Sequence, residues 1–245
     1  MAASAVYPLT SNYEARMSTL VVVAHPDDEV LGCGGALAAL TRAGGRATAC
    51  ILCGNAEVRR FRPELEGLRA QTEAASRHLG LEAPIVGPFP NIALNAVPHV
   101  ELVRFIEEGI LATGATRVIT HHPADLNNDH LHVSLAAQAA ARLFQRGVNA
   151  KPLEELLFME IASSTDWAIP SGMLPFRGDS YLEISEEDLT AKIEALACYE
   201  GVMREAPHPR RAEIIRAMAV CRGSEAGLKL AECYQTGFRR CERPR

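Results

Sequence analysis

Six residues, Ala24-His25-Pro26-Asp27-Asp28-Glu29, follow directly on the apolar run Leu20-Val21-Val22-Val23. A buried strand that ends in a histidine and three acids delivers metal-ligand side chains to one point in space. A second cluster, His121-His122-Pro123-Ala124-Asp125-Leu126-Asn127-Asn128-Asp129-His130, follows the apolar run Val118-Ile119-Thr120. Two such strand ends predict one oxygen/nitrogen metal site and hydrolytic chemistry. A catalytic zinc takes three protein ligands and keeps a fourth position for water. His25 offers an imidazole, one of Asp27 and Asp28 a ligating carboxylate, and the other a base for the activated water. From the second cluster His130 is the leading third ligand, and Asp129 is placed to orient a histidine. Asp125 and Asn127 are polar groups that can shape the pocket or meet substrate. His121, His122 and His132, each taken alone, read as loop or helix-face histidines, although the position of His122 keeps it among the groups facing substrate.

These side chains need elements to carry them. Strand-like runs at Thr19–Ala24, Ala47–Leu52, Ile85–Phe89 and Arg117–Thr120 alternate with helical spacing at Gly34–Ala43, Glu64–Leu79 and His99–Thr113. In the last of these, Leu102, Phe105, Ile106 and Ile110 form an apolar stripe opposite Glu101, Arg104, Glu107 and Glu108. Gly80 and Gly114 fit helix C-caps. A helix is expected at Ser134–Phe144, strands near Leu156–Ile161 and Tyr181–Ile184, and helices near Glu186–Met203 and Arg211–Cys221. The alternation predicts βαβ units: a Rossmann-like, three-layer α/β fold with a mainly parallel sheet. One domain over residues 17–245, preceded by an extension at 1–16, accounts for the pattern. In open sheets of this kind ligands gather outside the carboxyl ends of the strands, where both clusters lie.

Composition narrows the function. With 25 Lys and Arg against 30 Asp and Glu, the net charge of -5 gives no footprint for nucleic acid. The arginines near the C-terminus, Arg239, Arg240, Arg243 and Arg245, read as a solvated end. No stretch reaches the roughly 18 uninterrupted apolar residues of a membrane span, and residues 1–16 lack the apolar segment of a signal peptide. Seven scattered cysteines without an export signal read as reduced thiols in a cytoplasmic protein. Cys50 and Cys53 form a CxxC inside a strand, with no second pair to complete a zinc site. The glycines Gly32, Gly34 and Gly35 lack the spacing of a dinucleotide loop, and read as a close backbone approach or the start of a tightly packed helix. Trp167 reads as packing or loop structure.

The motifs Ala24-His25-Pro26-Asp27-Asp28-Glu29 and Asp129-His130 resemble those of the zinc-dependent N-deacetylases of the PIG-L/LmbE-like family. The likeness runs from about Met17 to Phe238. It takes in Phe89-Pro90-Asn91, Thr120 to Asn127, Ser163-Ser164-Thr165-Asp166-Trp167, Pro207-His208-Pro209-Arg210 and Ala231-Glu232. The resemblance implies His25, Asp28 and His130 as zinc ligands, Asp27 as general base, and a zinc-bound water as nucleophile. It also implies removal of an acetyl group from an N-acetylglucosamine-type conjugate, with release of acetate. Iron, cobalt or manganese could occupy the same donor set, and an amidase acting on a larger acyl group is the alternative activity. Where many relatives carry a histidine three positions before the last ligand, this chain has Asn127. An amide can donate to an oxyanion but cannot carry a proton. His208, held between two prolines, is then the candidate to protonate the leaving amine. Specificity is expected in the loops Asn55–Pro63 and Ser163–Asp179, where Arg59, Arg60 and Arg62 read as a solvated basic stretch.

Overall fold

The computed structural model describes residues 16–54, 65–147, 149–169 and 173–240. The extension before residue 16 and the arginines at 59, 60, 62, 243 and 245 lie outside the described residues. Seven strands form one sheet: β1 (Ser18–Val23), β2 (Arg46–Ile51), β3 (Ile85–Val86), β4 (Arg117–His121), β5 (Glu155–Met159), β6 (Ser180–Glu183) and β7 (Ala231–Arg239), in the order β3-β2-β1-β4-β5-β7-β6. The first five run parallel, whereas β7 pairs antiparallel with both β5 and β6. The helices are α1 (Asp28–Arg42), α2 (Leu65–His78), α3 (His99–Thr113), α4 (Asn128–Ala140), α5 (Glu186–Ala197) and α6 (Ala212–Ala226).

The near-continuous apolar run of β1 is explained by burial on both faces. Leu20 and Val22 enter a core with Leu102, Ile106, Val133 and Ala137 of α3 and α4. Val21 and Val23 enter the opposite core, with Leu37, Leu196 and Ile215 from α1, α5 and α6 and Leu79 just beyond α2. The three-layer α/β fold expected from the alternation is therefore the fold observed. Gly114 caps α3 in the left-handed conformation, at φ 60°, where a glycine avoids the Cβ clash.

Several boundaries differ from the sequence reading. The strand expected to reach Phe89 stops at Val86, because Pro88 and Pro90 cannot donate to the sheet. Helix α4 begins at Asn128 and not near Ser134, since the side chain of Asn127 accepts the Asp129 N–H at 2.9 Å and caps it. The second cluster is thus partly a helical turn. Helix α1 begins at Asp28, before the expected Gly34, but breaks at Cys33 (φ -146°, ψ 17°). Strand β7 was not anticipated, as its residues Ala-Glu-Cys-Tyr-Gln-Thr-Gly-Phe-Arg carry no alternating apolar pattern. Arg239 is part of it and bonds Glu155 at 2.6 Å beside Arg117, so it is not a solvated end.

The break in α1 has a partner built around it. Gly35 and Ala36 donate their N–H groups to Glu232 on β7, at 3.0 and 2.8 Å. Lys192 on α5 donates to the Leu31 carbonyl at 2.8 Å and to Glu232 at 2.6 Å. The groups freed by the kink are therefore satisfied by a buried ion pair. Gly32 sits against β5: a Cβ there would come within 2.3 Å of Met159 Sδ. The glycines serve helix-to-sheet packing.

Candidate metal centre and active site

Strand order reverses between β1 and β4, which are direct neighbours flanked by β2 and β5. That switch point opens a crevice beyond the strand ends. His25 leaves β1, His121 ends β4, and Asp125, Asp129 and His130 follow it. The structure brings His25, Asp28 and His130 together. Asp28 Oδ2 lies 3.2 Å from His25 Nδ1 and 3.1 Å from His130 Nε2, and the two ring nitrogens are 3.3 Å apart. Bonds of about 2.0–2.1 Å in a tetrahedral zinc site put neighbouring ligand atoms about 3.3 Å apart. The donor set therefore fits a divalent transition metal.

The other nitrogen of each histidine faces a carboxylate. His25 Nε2 bonds Asp129 Oδ2 at 3.0 Å, and His130 Nδ1 lies 3.1 Å from Asp125 Oδ1. Asp129 fixes the outward nitrogen of His25 as N–H, leaving its Nδ1 to face a metal, and the Asp125 carboxylate beside His130 Nδ1 favours the same arrangement there. Asp129 also accepts the N–H groups of Ile92 at 2.6 Å and Leu94 at 3.1 Å. Asp125 accepts from the Asn127 N–H at 2.9 Å, from Thr165 Oγ1 at 2.8 Å and from the Ser164 hydroxyl. Asp129 thus orients the histidine of the other cluster, while Asp125 backs His130.

Charge follows the geometry. Burial opposes charge on His25, but its bonds to Asp129 and Asp28 outweigh this and hold it well above the ordinary histidine range. His130 is likewise raised to about 9, with burial overcome by Asp28 and Asp125. Asp28 is held well below the usual carboxylate range, its burial outweighed by the attraction of His130. Asp125 is lowered to about 2, where bonding to His130 overrides burial. His121 stacks on His130 with ring centroids 3.8 Å apart and accepts the Ala24 N–H at 2.9 Å. Burial and the neighbouring His130 drop it to about 3, so it is neutral. Cys53, 3.9 Å from Asp129, has its thiol raised by burial and is a poor competing ligand.

Asp27 stands at the N-cap of α1 with φ 107°. Its N–H donates to Glu29 Oε2 at 3.1 Å, and Tyr199 bonds Glu29 Oε1 at 2.5 Å. Burial, with the charge of Asp27, pushes Glu29 to about 8, so the third acid of the motif is neutral at pH 7 and adds no charge beside the other two. Arg210 Nη1 donates to Asp27 Oδ2 at 3.0 Å, and its Nε donates to Ser163 Oγ at 2.7 Å. Arg210 went unassigned in the sequence reading, although its motif, Pro207-His208-Pro209-Arg210, was in view. His208 is differently engaged: its Nδ1 accepts the Arg210 N–H at 3.1 Å and its ring meets Trp167 edge-on at 5.4 Å. Burial, then Arg210, lowers its pKa.

His122 points away from the donor set. Its Nδ1 accepts the Ala124 N–H at 3.1 Å, and its ring packs against Phe158 and Phe176. His122 is the first residue beyond β4, and its ring lies against Phe158 and Phe176 whereas that of His121 stacks on His130. Among the described residues, positive φ outside glycine occurs at Asp27, Ile92 and Ser163, at 107°, 63° and 69°. All three belong to loops that carry this site, a distribution expected of functional strain.

Known proteins share parts of this sequence and its fold. Residues 20–141 match the family model PIG-L, GlcNAc-PI de-N-acetylase. The protein named uncharacterized deacetylase YaiS, from Escherichia coli (strain K12), is 26% identical over 194 residues, covering 77% of this chain and 93% of that one. The crystal structure of the conserved protein TT1542 from Thermus thermophilus superposes with a TM-score of 0.72 at 26% identity, over 93% of this chain and 98% of that one. GalB, the 4-carboxy-2-hydroxymuconate hydratase from Pseudomonas putida KT2440, shares the fold at 21% identity, with a TM-score of 0.70 over 93% of this chain and 99% of that one. The matched segment holds the first turn of α1, both clusters and the strands that join them: this chain belongs to the PIG-L/LmbE-like family.

Proposed function

We propose that this chain is a metal-dependent hydrolase that removes the acetyl group from an N-acetylglucosamine-type conjugate. The observation that carries the reading is the trio His25, Asp28 and His130, whose donor atoms stand 3.1–3.3 Å apart with Asp27 next in sequence. The family match supports the amino-sugar amide as substrate. A divalent metal held by the trio, with zinc the first candidate, would polarise the acetamide carbonyl and acidify the attacking water.

The chain's own residues supply the rest. Asp27 takes the proton of the attacking water as the water oxygen bonds to the carbonyl carbon. Arg210 balances the buried charge of Asp27 and fixes its carboxylate. The carbonyl end of Asn127 is committed to the α4 cap, so its NH2 end is the one able to donate to the oxyanion. When the C–N bond breaks, the amine receives the proton that Asp27 has taken. With its Nδ1 occupied and its charged form disfavoured, His208 supports the loop that presents Arg210. Loss of turnover in His208→Ala with Arg210 still bonded to Asp27 would return proton delivery to His208.

The test is release of free amine from free, lipid-linked, nucleotide-linked and glycosidic N-acetylglucosamine, with metal and after chelation. Metal-dependent release from one member supports the proposal. Silence throughout, with release from substrates bearing larger acyl groups, turns the assignment to an amidase. Hydration of a carbon–carbon double bond, with no amide cleavage in either set, overturns both.

A further inference from the structure

Beyond β5 the chain passes Ile161 and Ala162 and turns through Ser163, Ser164 and Thr165, three hydroxyl side chains in succession. Their bonds divide between the two halves of the site. Ser163 Oγ accepts from Arg210 Nε at 2.7 Å, and Nη1 of that arginine donates to Asp27 Oδ2 at 3.0 Å. Ser164 Oγ donates to Asp125 Oδ1, and Thr165 Oγ1 donates to Asp125 Oδ2 at 2.8 Å. Asp125 Oδ1 in turn lies 3.1 Å from His130 Nδ1. One three-residue turn therefore touches both the arginine that holds the proposed base and the carboxylate that backs a proposed ligand.

The turn is closed on itself. Ser164 and Thr165 donate their N–H groups to the Ile161 carbonyl at 3.1 and 2.9 Å, and the Ile161 N–H donates back to Thr165 Oγ1 at 2.8 Å. Ile161, Ala162 and Ser164 are buried. The loop at the other end is closed too, because the Arg210 carbonyl accepts the Arg204 N–H at 2.8 Å. Ser163 adds an independent observation: its φ of 69° is a left-handed conformation that glycine adopts with less strain. A glycine there would offer Arg210 no hydroxyl. Strain of this kind persists where the surroundings over-determine it. A bonded chain between two closed loops has little slack, and such networks exceed the sum of their separate bonds.

We propose that Ser163, Ser164 and Thr165 are positioning residues that couple the Asp27 base to the His130 ligand, so that loosening either end of the turn disturbs both. The proposal rests on the deacetylase reading and deepens it: the spacing between base and metal is set by one turn and not by two independent supports.

The experiment uses the full-length protein, freed of metal by a chelator and titrated with Zn2+ against a chelating dye. Ser164→Ala removes one donor to Asp125 and should weaken Zn2+ binding by about tenfold. Ser163→Ala keeps the backbone strain and removes only the hydroxyl that meets Arg210. It should nevertheless weaken Zn2+ binding by at least about threefold, and the double variant should lose clearly less than the product of the two. Unchanged Zn2+ affinity in Ser163→Ala, or a double variant at the full product, would overturn the coupling. Ser163→Gly also lacks the hydroxyl but relaxes the turn, and should match Ser163→Ala. Recovery of the unaltered affinity in Ser163→Gly would assign the effect to backbone strain and overturn the hydroxyl bridge. Turnover reads the coupling in the other direction: at saturating Zn2+, Ser164→Ala should lower kcat by at least about threefold with KM unchanged. An unaltered kcat there would overturn the coupling while the deacetylase reading stands. The Zn2+ losses as stated, with no amine released from any N-acetylglucosamine conjugate, would keep the bridge and remove the deacetylase reading.

Discussion

At the scale of the residue, the site divides three neighbouring acids among three roles. Asp28 faces both histidines, Asp27 is held by Arg210, and Glu29 is pushed toward neutrality by burial. Asp27→Asn keeps the shape but loses the proposed base, so kcat should fall by at least about a hundredfold while metal content, read by elemental analysis, stays unchanged. Full activity in that variant would remove Asp27 from the mechanism. The raised pKa of His130 predicts a pH dependence. At neutral pH the metal-free site holds a proton on His130 that a metal must displace. Metal affinity should therefore climb as pH rises toward about 9, with proton release visible in buffers of different ionisation enthalpy. The sign is opposite for the stability of the metal-free protein: the contribution of charged His130 is complete below its ordinary 6.5 and is lost as pH rises through about 9. A metal affinity that does not change across that window would contradict the protonated cluster.

At the scale of the element, α1 is two helical pieces joined at Cys33, and the first piece carries Asp28. Its alignment depends on Glu232 and Lys192, from β7 and α5. Glu232→Ala would strand Lys192 and the N–H groups of Gly35 and Ala36 in a buried setting, at a cost of about 3–5 kcal/mol. Glu232→Gln keeps an acceptor and should cost clearly less. Equal melting temperatures for these two variants would show that the clamp contributes nothing. How much was legible follows from the same elements. The meeting of His25, Asp28 and His130 could be read because each cluster is contiguous and follows an apolar strand run. The turn geometry of α4 was obscured by reading Asn127 as a substrate group, although an asparagine ahead of an acidic first turn also has the chemistry of a cap. Arg210 and Glu232 stand 183 and 197 residues from the partners they hold, a distance no local pattern reports. Strand β7 escaped because its buried residues include Glu232 and its sequence reads as mixed polarity.

At the scale of the molecule, the switch point between β1 and β4 accounts for both the fold and the site. A metal that binds the folded protein alone stabilises it by about 2.7 kcal/mol at a hundredfold excess over Kd. For a chain of this size that corresponds to a rise in Tm of roughly 5–10 °C. His25→Ala should abolish the rise, and a persistent shift in that variant would place the metal elsewhere. Among the described residues no helix is long and apolar enough to cross a membrane.

The clamp at the α1 kink also bears on the order of events during synthesis. The proposed donors have all been made by residue 130, but the carboxylate that steadies the turn bearing Asp28 arrives only with Glu232. A growing chain then carries the donor atoms for a long interval without the framework that sets their spacing. The donor spacing that a metal would need is therefore completed only when Glu232 joins the fold.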